Sequence, residues 1–467
     1  MQVNPGSFRD PAGFVFSAGG RVYRQVNKAG REDYDLLMSS GLYEALIADG
    51  LMVKHTETKR AGSGKEAYKV LEPEHIPFIS YPYEWSFAQL KDAALLTLKI
   101  QKLALKHGMI LKDASAYNVQ FVGKRPVFID TLSFKKYEPG EAWEGYRQFC
   151  EHFLAPLALA RYTSYDALKL LRTELEGLTL ELATQLLPRR ARMKPGLFSH
   201  LYLHSASQKK YQNIASEKGN TAVKRRQVSR FALDGIIGGL ERSVQRLKSP
   251  QNKTEWGEYY TFTNYSDKAF QRKRQLVGDL LDAVKPKPQV VWDMGANNGE
   301  FSSLAAERGC YTVAFDIDPL AVERNYLTKA DAQMTSGMLP LVQDCVNPSP
   351  ANGFMGRERE SLFERGPADV VLALALVHHL AIGRNLPLPR VAELFASLGK
   401  NLIIEFVPKE DSKVQILLAS RRDIFPDYDS EHFEAEMNQY FKLTKKQSIP
   451  HTKRTLYLYK NKMTGQK

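Results

Sequence analysis

The sequence has no long apolar run, few cysteines and no repeats. Its longest apolar stretch, Val370 to Ile382, is short and carries His378 and His379, whereas a membrane-crossing helix needs ~20 predominantly apolar residues. A membrane channel is therefore excluded. The opening MQVNPGSFRDPAG lacks the apolar centre of a secretory signal. The three cysteines, Cys150, Cys310 and Cys345, are widely spaced and form no CxxC pair. That excludes a disulfide-stapled fold and a thiolate zinc site, and it fits the reducing cytoplasm. No internal repeat or low-complexity tract is present, so solenoids and collagen-like chains are also excluded.

The composition is that of a globular protein: 467 residues, 43% hydrophobic and 25% charged. At roughly 100–200 residues per domain, the chain holds about two to four domains. The net charge of +13 is concentrated. Arg189 to Lys253 holds fifteen basic residues against three acidic ones, so nearly all the excess lies there. Such a stretch attracts phosphates, nucleic acid or acidic glycans. It also fits a solvated helical surface, because no nucleic-acid-binding motif accompanies it.

Three blocks follow from the pattern. Residues 1–187 mix short strand-like runs with amphipathic helices and read as an α+β domain. Residues 188–253 read as a basic helical linker, with helical spacing in Val228–Leu247 and a polar loop at Ser216–Thr221. Residues 254–467 alternate apolar runs (Gln289–Asp293, Tyr311–Phe315, Ala368–Leu374, Asn401–Phe406) with helices (Gly299–Arg308, Leu320–Leu327, Leu388–Leu398). Near-continuous apolar strands between helices predict a parallel sheet covered on both faces. Tyr440–Lys445 and Arg454–Tyr459, joined around Ile449-Pro450-His451, predict a closing antiparallel hairpin.

The most informative segment is Val290-Val291-Trp292-Asp293-Met294-Gly295-Ala296-Asn297-Asn298-Gly299-Glu300. A strand runs into a tight turn that opens a helix. Gly295 lets backbone approach a ligand, Asn297 tolerates a left-handed conformation, and Gly299 allows close packing. About twenty residues on, a second strand ends at Asp316, where a carboxylate can accept both ribose hydroxyls. Together they describe a site for a nucleoside-bearing cofactor. A dinucleotide site would show GxGxxG; the spacing here is Asp-x-Gly-x-Asn-x-Gly.

This spacing resembles motif I of the class I S-adenosylmethionine-dependent methyltransferases, with Asn297 in place of the middle glycine. Further motifs follow in order. Ala314-Phe315-Asp316-Ile317-Asp318-Pro319 is similar to the ribose-binding strand end. Leu341-Val342-Gln343-Asp344-Cys345 is similar to the adenine-contacting segment, with Asp344 as partner of the exocyclic amine. Ala368 to Leu380 is similar to the fourth strand and its active-site lip. The resemblance covers about residues 256–467. It implies a Rossmann-like, mostly parallel seven-stranded sheet with a reversed last strand, and S-adenosyl-L-methionine as cofactor. The implied cofactor set is Asp293, Gly295, Asn297, Gly299, Asp316, Ile317, Asp344, Cys345 and Leu374. Methyl transfer to a hydroxyl also profits from a general base. His378 or His379, just beyond the fourth strand, is the candidate base, with packing or capping of the lip as the alternative; Glu405, at the end of the fifth strand, is a further catalytic candidate that faces the site edge, for substrate contact or structural pairing. Trp256, Tyr259, Tyr260 and Tyr265 form an aromatic cluster ahead of the domain, suited to covering a ligand or to core packing.

In the first block, Ile110-Leu111-Lys112-Asp113-Ala114-Ser115-Ala116-Tyr117-Asn118-Val119 precedes Pro126-Val127-Phe128-Ile129-Asp130-Thr131. An Asp, an Asn five positions later and an Asp twelve beyond that share the spacing of a kinase catalytic loop and its metal-binding Asp. Asp113 would orient a hydroxyl, while Asn118 and Asp130 would hold Mg²⁺ against phosphates. Arg24 stands where a phosphate-pairing lysine would be. The block resembles aminoglycoside-phosphotransferase-like kinases over residues 10–185 and implies Mg-ATP. The whole plan is similar to bacterial nodulation-type methyltransferases.

Three functions are compatible with these features. One is methyl transfer to a small molecule or glycan. Another is methylation of nucleic acid gripped through residues 189–253. The last is a kinase-like nucleotide-binding module carrying a degenerate methyltransferase half.

Overall fold

The computed structural model describes residues 1–207, 227–250, 267–328, 337–419 and 421–463. The Ser216–Thr221 loop, the aromatic cluster from Trp256 to Tyr265, and seven of the fifteen basic positions of the 189–253 stretch lie outside these residues. Among the described residues, no helix is long and apolar enough to cross a membrane. The chain divides into two compact units. One comprises Met1–Phe121, Pro126–Asn252 and Gly353–Glu358; the other comprises Val122–Arg125, Lys253–Asn352 and Arg359–Lys467.

The first unit opens with an antiparallel sheet of β1 (Gln2–Val3), β2 (Gly13–Ala18), β3 (Arg21–Asn27), β4 (His55–Thr58) and β5 (Ala67–Pro73), in the order β1-β2-β3-β5-β4. Gly19 and Gly20 both take positive φ between β2 and β3, which suits a two-residue hairpin turn. Helices α1 (Arg31–Ser39) and α2 (Leu42–Ala48) lie between β3 and β4 in the chain. The long α3 (Phe87–Lys106) starts where Ser86 and Gln89 cap each other reciprocally. Two short ribbons follow: β6 (Met109–Leu111) pairs with β9 (Phe134–Lys136), and β7 (Val119–Val122) with β8 (Arg125–Phe128). They frame the segment from Asp113 to Asp130.

The basic stretch does not stand as a separate linker where it is described. Helix α4 (Arg230–Arg246) buries Leu233, Ile237, Leu240 and Val244 and packs on α3. An ion pair joins Lys102 to Glu241, and Lys91 donates to the carbonyls of Gln245 (2.9 Å) and Leu247 (2.8 Å). The apolar stripe of α4 has a partner, so the helix belongs to the first unit.

The second unit is a seven-stranded sheet. Its strands are β10 (Val290–Met294), β11 (Tyr311–Asp316), β12 (Met338–Val342), β13 (Val370–Ala373), β14 (Asn401–Phe406), β15 (Phe441–Ser448) and β16 (Thr455–Asn461). Their order is β12-β11-β10-β13-β14-β16-β15. The β10–β14 pairings are parallel, and β16 is antiparallel to both β14 and β15. Numbered within the unit, the order is 3-2-1-4-5-7-6, with strand 7 reversed. Helices α5 (Asp267–Ala283), α6 (Glu300–Ala306), α7 (Pro319–Leu327), α8 (Leu388–Leu398), α9 (Ser412–Ala419) and α10 (Ser430–Tyr440) complete it. One core joins Leu276, Val277 and Leu280 of α5 to Val291, Leu372, Ile403 and Leu458 of the sheet.

Strand β12 was not among the apolar runs read from the sequence, and Pro340 sits within it. It is an edge strand, where a missing N–H is tolerated. Helix α5 was also unanticipated, since its apolar face is interrupted by Arg272, Lys273 and Arg274.

Candidate cofactor site

The site lies at the carboxyl ends of β10, β11 and β13, where the strand order reverses between β10 and β13. Ligands of open α/β sheets settle at such a point. The bend after β10 is fixed by local geometry. Gly295, Asn297 and Gly299 have φ of 78°, 50° and 87°, so three residues of five are left-handed. Gly295 N and Ala296 N donate to the Phe315 carbonyl (2.8 and 2.9 Å). A Cβ at Gly295 would stand 3.3 Å from Leu376 Cδ1, and one at Gly299 would stand 2.4 Å from Asn325 Nδ2. The first glycine keeps the cavity open, and the second lets α6 start against α7.

Asp316 is 7% exposed and joins the two loops. Its Oδ2 accepts from Asn297 N (2.7 Å) and its Oδ1 from Asp318 N (2.8 Å). Each carboxylate oxygen has two lone pairs, so acceptor capacity remains for two ribose hydroxyls. Burial pushes its pKa up to about 6, against the hydrogen bonds from Asp318 and Asn297. Asp293, one residue before the end of β10, accepts from Ser302 Oγ (2.6 Å). Burial pushes Asp293 up to about 7, with Ser302 opposing.

A cavity of about 420 Å³ opens over these strand ends, and Asp293, Gly295, Asn297, Asp316 and Ile317 line it. Asp344, Cys345 and Leu374 line it as well. Gly299 does not; it acts from behind, through α6. Ala375, two residues past the end of β13, lines the cavity with φ of 51°. A non-glycine residue in that region marks a strained site lip. The bend, the ribose-facing carboxylate and the cavity fit an adenosyl cofactor.

The three catalytic candidates separate. His379 lines the cavity. His378 is 1% exposed and absent from the lining, with its ring centroid 4.1 Å from that of His379. Burial, then the Arg454 charge, lowers His379 to about 4, so its imidazole is neutral near pH 7. Glu405 is 0% exposed and does not line the cavity. It is ion-paired to Lys273 (2.6 Å) and Arg454 (3.3 Å), because the β16 partner strand and α5 close over it. The placement assumed for Glu405 at the site edge is therefore corrected: it stands behind the wall.

Lys273, Phe270 and Phe301 also line the cavity. Phe301 lies in the anticipated first helix. Lys273 and Phe270 sit on α5, ahead of every motif, and their three-residue spacing on one helix face was the only signal available.

In the first unit, the loop residues come together. Asn118 Nδ2 donates to Ser133 Oγ (3.1 Å), and Ser133 Oγ donates to Asp130 Oδ2 (2.5 Å). Arg24 forms an ion pair with Asp130. Burial raises Asp113, and the Asp130 charge adds to it. Burial opposes ionisation of Asp130 too, but Arg24 and Ser133 leave its carboxyl below the usual range.

The strand order 3-2-1-4-5-7-6, the glycine bend and the carboxylate ending the second strand give the second unit the fold of the class I S-adenosylmethionine-dependent methyltransferases. A scan against known protein families found no match. The chain is 36% identical, over 461 residues, to nodulation protein NoeA of Rhizobium meliloti (strain 1021), covering 97% of this chain and 95% of that protein. It belongs to the NoeA family of nodulation proteins. Similar solved structures include magnesium protoporphyrin IX methyltransferase (ChlM) from Synechocystis PCC 6803 with bound SAH (18% identity, TM-score 0.32, 44% of this chain and 92% of that one). Others are N-methyltransferase NodS from Bradyrhizobium japonicum WM9 (9%, 0.30, 42% and 98%) and WbdD (18%, 0.30, 42% and 41%).

Proposed function

We propose that the second unit methylates a hydroxyl of a small-molecule or glycan acceptor. The observation that carries this reading is a neutral, cavity-lining His379 facing the same space as the glycine bend and Asp316. Bound there, S-adenosyl-L-methionine supplies a methyl group already activated by its sulfonium. The chain's own residues hold, orient and deprotonate. Asp316 accepts the ribose hydroxyls, Asp344 meets the adenine amine, and Asp293 takes the ammonium group. Ile317 and Leu374 supply apolar walls, and Cys345, whose thiol is pushed up to about 12 by burial and then Asp344, stays uncharged. A ring nitrogen of His379 takes the acceptor's proton, and His378 packs behind it.

The test is transfer of an isotopically labelled methyl from S-adenosylmethionine into small-molecule and oligosaccharide extracts. A product heavier by one labelled methyl, absent with Asp316→Ala, supports the reading. Absence of any transfer, together with no binding of S-adenosylhomocysteine, overturns it. Transfer only to RNA or DNA, with steep salt dependence, would move the acceptor to nucleic acid.

A second reading concerns the first unit. The convergence of Asp113, Asn118 and Asp130 across the two ribbons supports Mg-ATP binding there. Two half-buried carboxylates favour a cation between them; in the structure Arg24 supplies that charge to Asp130. A Mg-ATP-dependent thermal stabilisation lost on Asp130→Asn would support the reading, and none in the wild type would overturn it.

A further inference from the structure

The charges lining the cofactor cavity are sorted by strand. Asp293, Asp316 and Asp344, at or near the carboxyl ends of β10, β11 and β12, supply its carboxylates. The segments that follow β13 and β14 contribute no carboxylate to the lining and two guanidinium groups, Arg384 and Arg421. His379 lines the cavity from the same segment as Arg384.

One turn of helix sets both arginines. After β13 the chain makes a single π-helical turn, His379–Gly383, a rare form that is frequent at functional sites. Arg421, two residues past α9, fastens this turn. Its Nη1 donates to the Ile382 carbonyl (2.5 Å) and to Asn385 Oδ1 (3.0 Å), and its Nη2 to the Gly383 carbonyl (3.5 Å). These partners are neutral oxygens, so they occupy donors and leave the charge uncompensated. A guanidinium has more N–H donors than three such contacts use.

Arg384 follows the turn directly. Its side chain is 52% exposed, and it faces Asp344 Oδ2 at 3.6 Å. That is an ion pair, too long for a hydrogen bond. The adenosyl reading assigns Asp344 to the adenine amine, so the donors of Arg384 stay open to a second ligand. Capping of the turn accounts for Arg421 but not for Arg384, which holds no carbonyl of it.

A neutral acceptor would need hydrogen bonds and apolar contact, not paired positive charge. Guanidinium forks match carboxylate and phosphate oxygens in two-point geometry. Arg421 is already immobilised by the turn, which lowers the cost of ordering it around a ligand. The sulfonium of the bound donor adds positive charge to the same space, and such a space concentrates anions.

We propose that the acceptor is acidic: it carries an oxyanion, a carboxylate or a phosphate ester, that Arg384 and Arg421 grip while its hydroxyl meets His379. This inference rests on the methyl-transfer reading of the site and names the acceptor class within it.

The experiment runs labelled methyl transfer from S-adenosylmethionine, with the full chain, into nuclease-treated extracts split by anion exchange into neutral and anionic pools. The label is expected in the anionic pool. Reducing carboxylates to alcohols beforehand abolishes acceptance if the oxyanion is a carboxylate, and phosphatase abolishes it if it is a phosphate ester. Arg384→Gln should raise KM for the anionic pool by about 10- to 100-fold, the worth of one charge-assisted hydrogen bond. KM rather than kcat should carry the loss, and S-adenosylhomocysteine affinity should stay within about threefold. Arg384→Lys, which keeps the charge without the fork, should fall between. Label confined to the neutral pool, or acceptance that survives both treatments together, would overturn the proposal while leaving methyl transfer standing. So would an unchanged KM in Arg384→Gln, or an equal loss of S-adenosylhomocysteine affinity, which would give Arg384 to the cofactor. Label that appears only when nuclease is omitted would place the acceptor among nucleic acids and overturn it as well. No label in any pool would overturn the methyl-transfer reading and this inference together.

Discussion

Replacing Asp316 by Asn tests the ribose contact most directly, because the structure supplies both the direction and the size. Two backbone donors point at this side chain, Asn297 N at Oδ2 and Asp318 N at Oδ1. An amide has a single acceptor oxygen, so its NH2 group must face one of those donors. The bend then shifts, and one ribose hydroxyl meets a donor instead of an acceptor. A hydrogen bond to a charged group contributes about 1.5–3 kcal/mol, so losing one ribose contact costs roughly that much, or about 10- to 100-fold in Kd. Calorimetry with S-adenosylhomocysteine at pH 8 reads the loss. A paired titration with adenosine and 2′,3′-dideoxyadenosine isolates the ribose: wild type should discriminate, and the variant should discriminate about 10- to 100-fold less. Because the ionised carboxylate is the acceptor and burial pushes it up to about 6, wild-type affinity should fall about tenfold per pH unit below about pH 6. Affinity of Asp316→Asn within about threefold of wild type, or a flat profile from pH 8 to 5, would refute the assignment.

Other perturbations probe the remaining links. Gly299→Ala should destabilise the second unit by about 1–3 kcal/mol, through the 2.4 Å approach to Asn325 and a φ of 87°, as read by urea unfolding. His379→Gln should lower kcat by about 10²- to 10⁴-fold with S-adenosylhomocysteine affinity kept, and wild-type kcat should fall only as pH drops toward about 4. Asp293 binds its proton more tightly folded than unfolded, so its contribution to stability is present at low pH and is lost as pH rises to about 7. Asp293→Asn should remove that slope, worth on the order of 3 kcal/mol between pH 4 and 8 in thermal or urea melts. Arg454→Met, which strands Glu405 and Asp411, should cost about 3–5 kcal/mol by the same measurement.

Much of this was legible in the chain. The alternation of apolar runs and helices beyond residue 288 specified a parallel sheet because each segment had to bury both faces. The bend could be read because φ > 0 is restricted to few residue types, and Gly295, Asn297 and Gly299 are of those types. The Asp113, Asn118 and Asp130 spacing was likewise visible, since ribbons β6–β9 and β7–β8 are local. Tertiary structure alone decided three things. It showed which histidine reaches the cavity, since His378 and His379 are neighbours in sequence and only backbone direction separates them. It moved Glu405 from the site edge to a buried pair, because Lys273 lies 132 positions earlier and Arg454 49 positions later. It also gave the apolar face of α4 its partner on α3. Local spacing encodes what adjacent residues must do; charge pairing between distant strands and helices exists only once the sheet has brought them together.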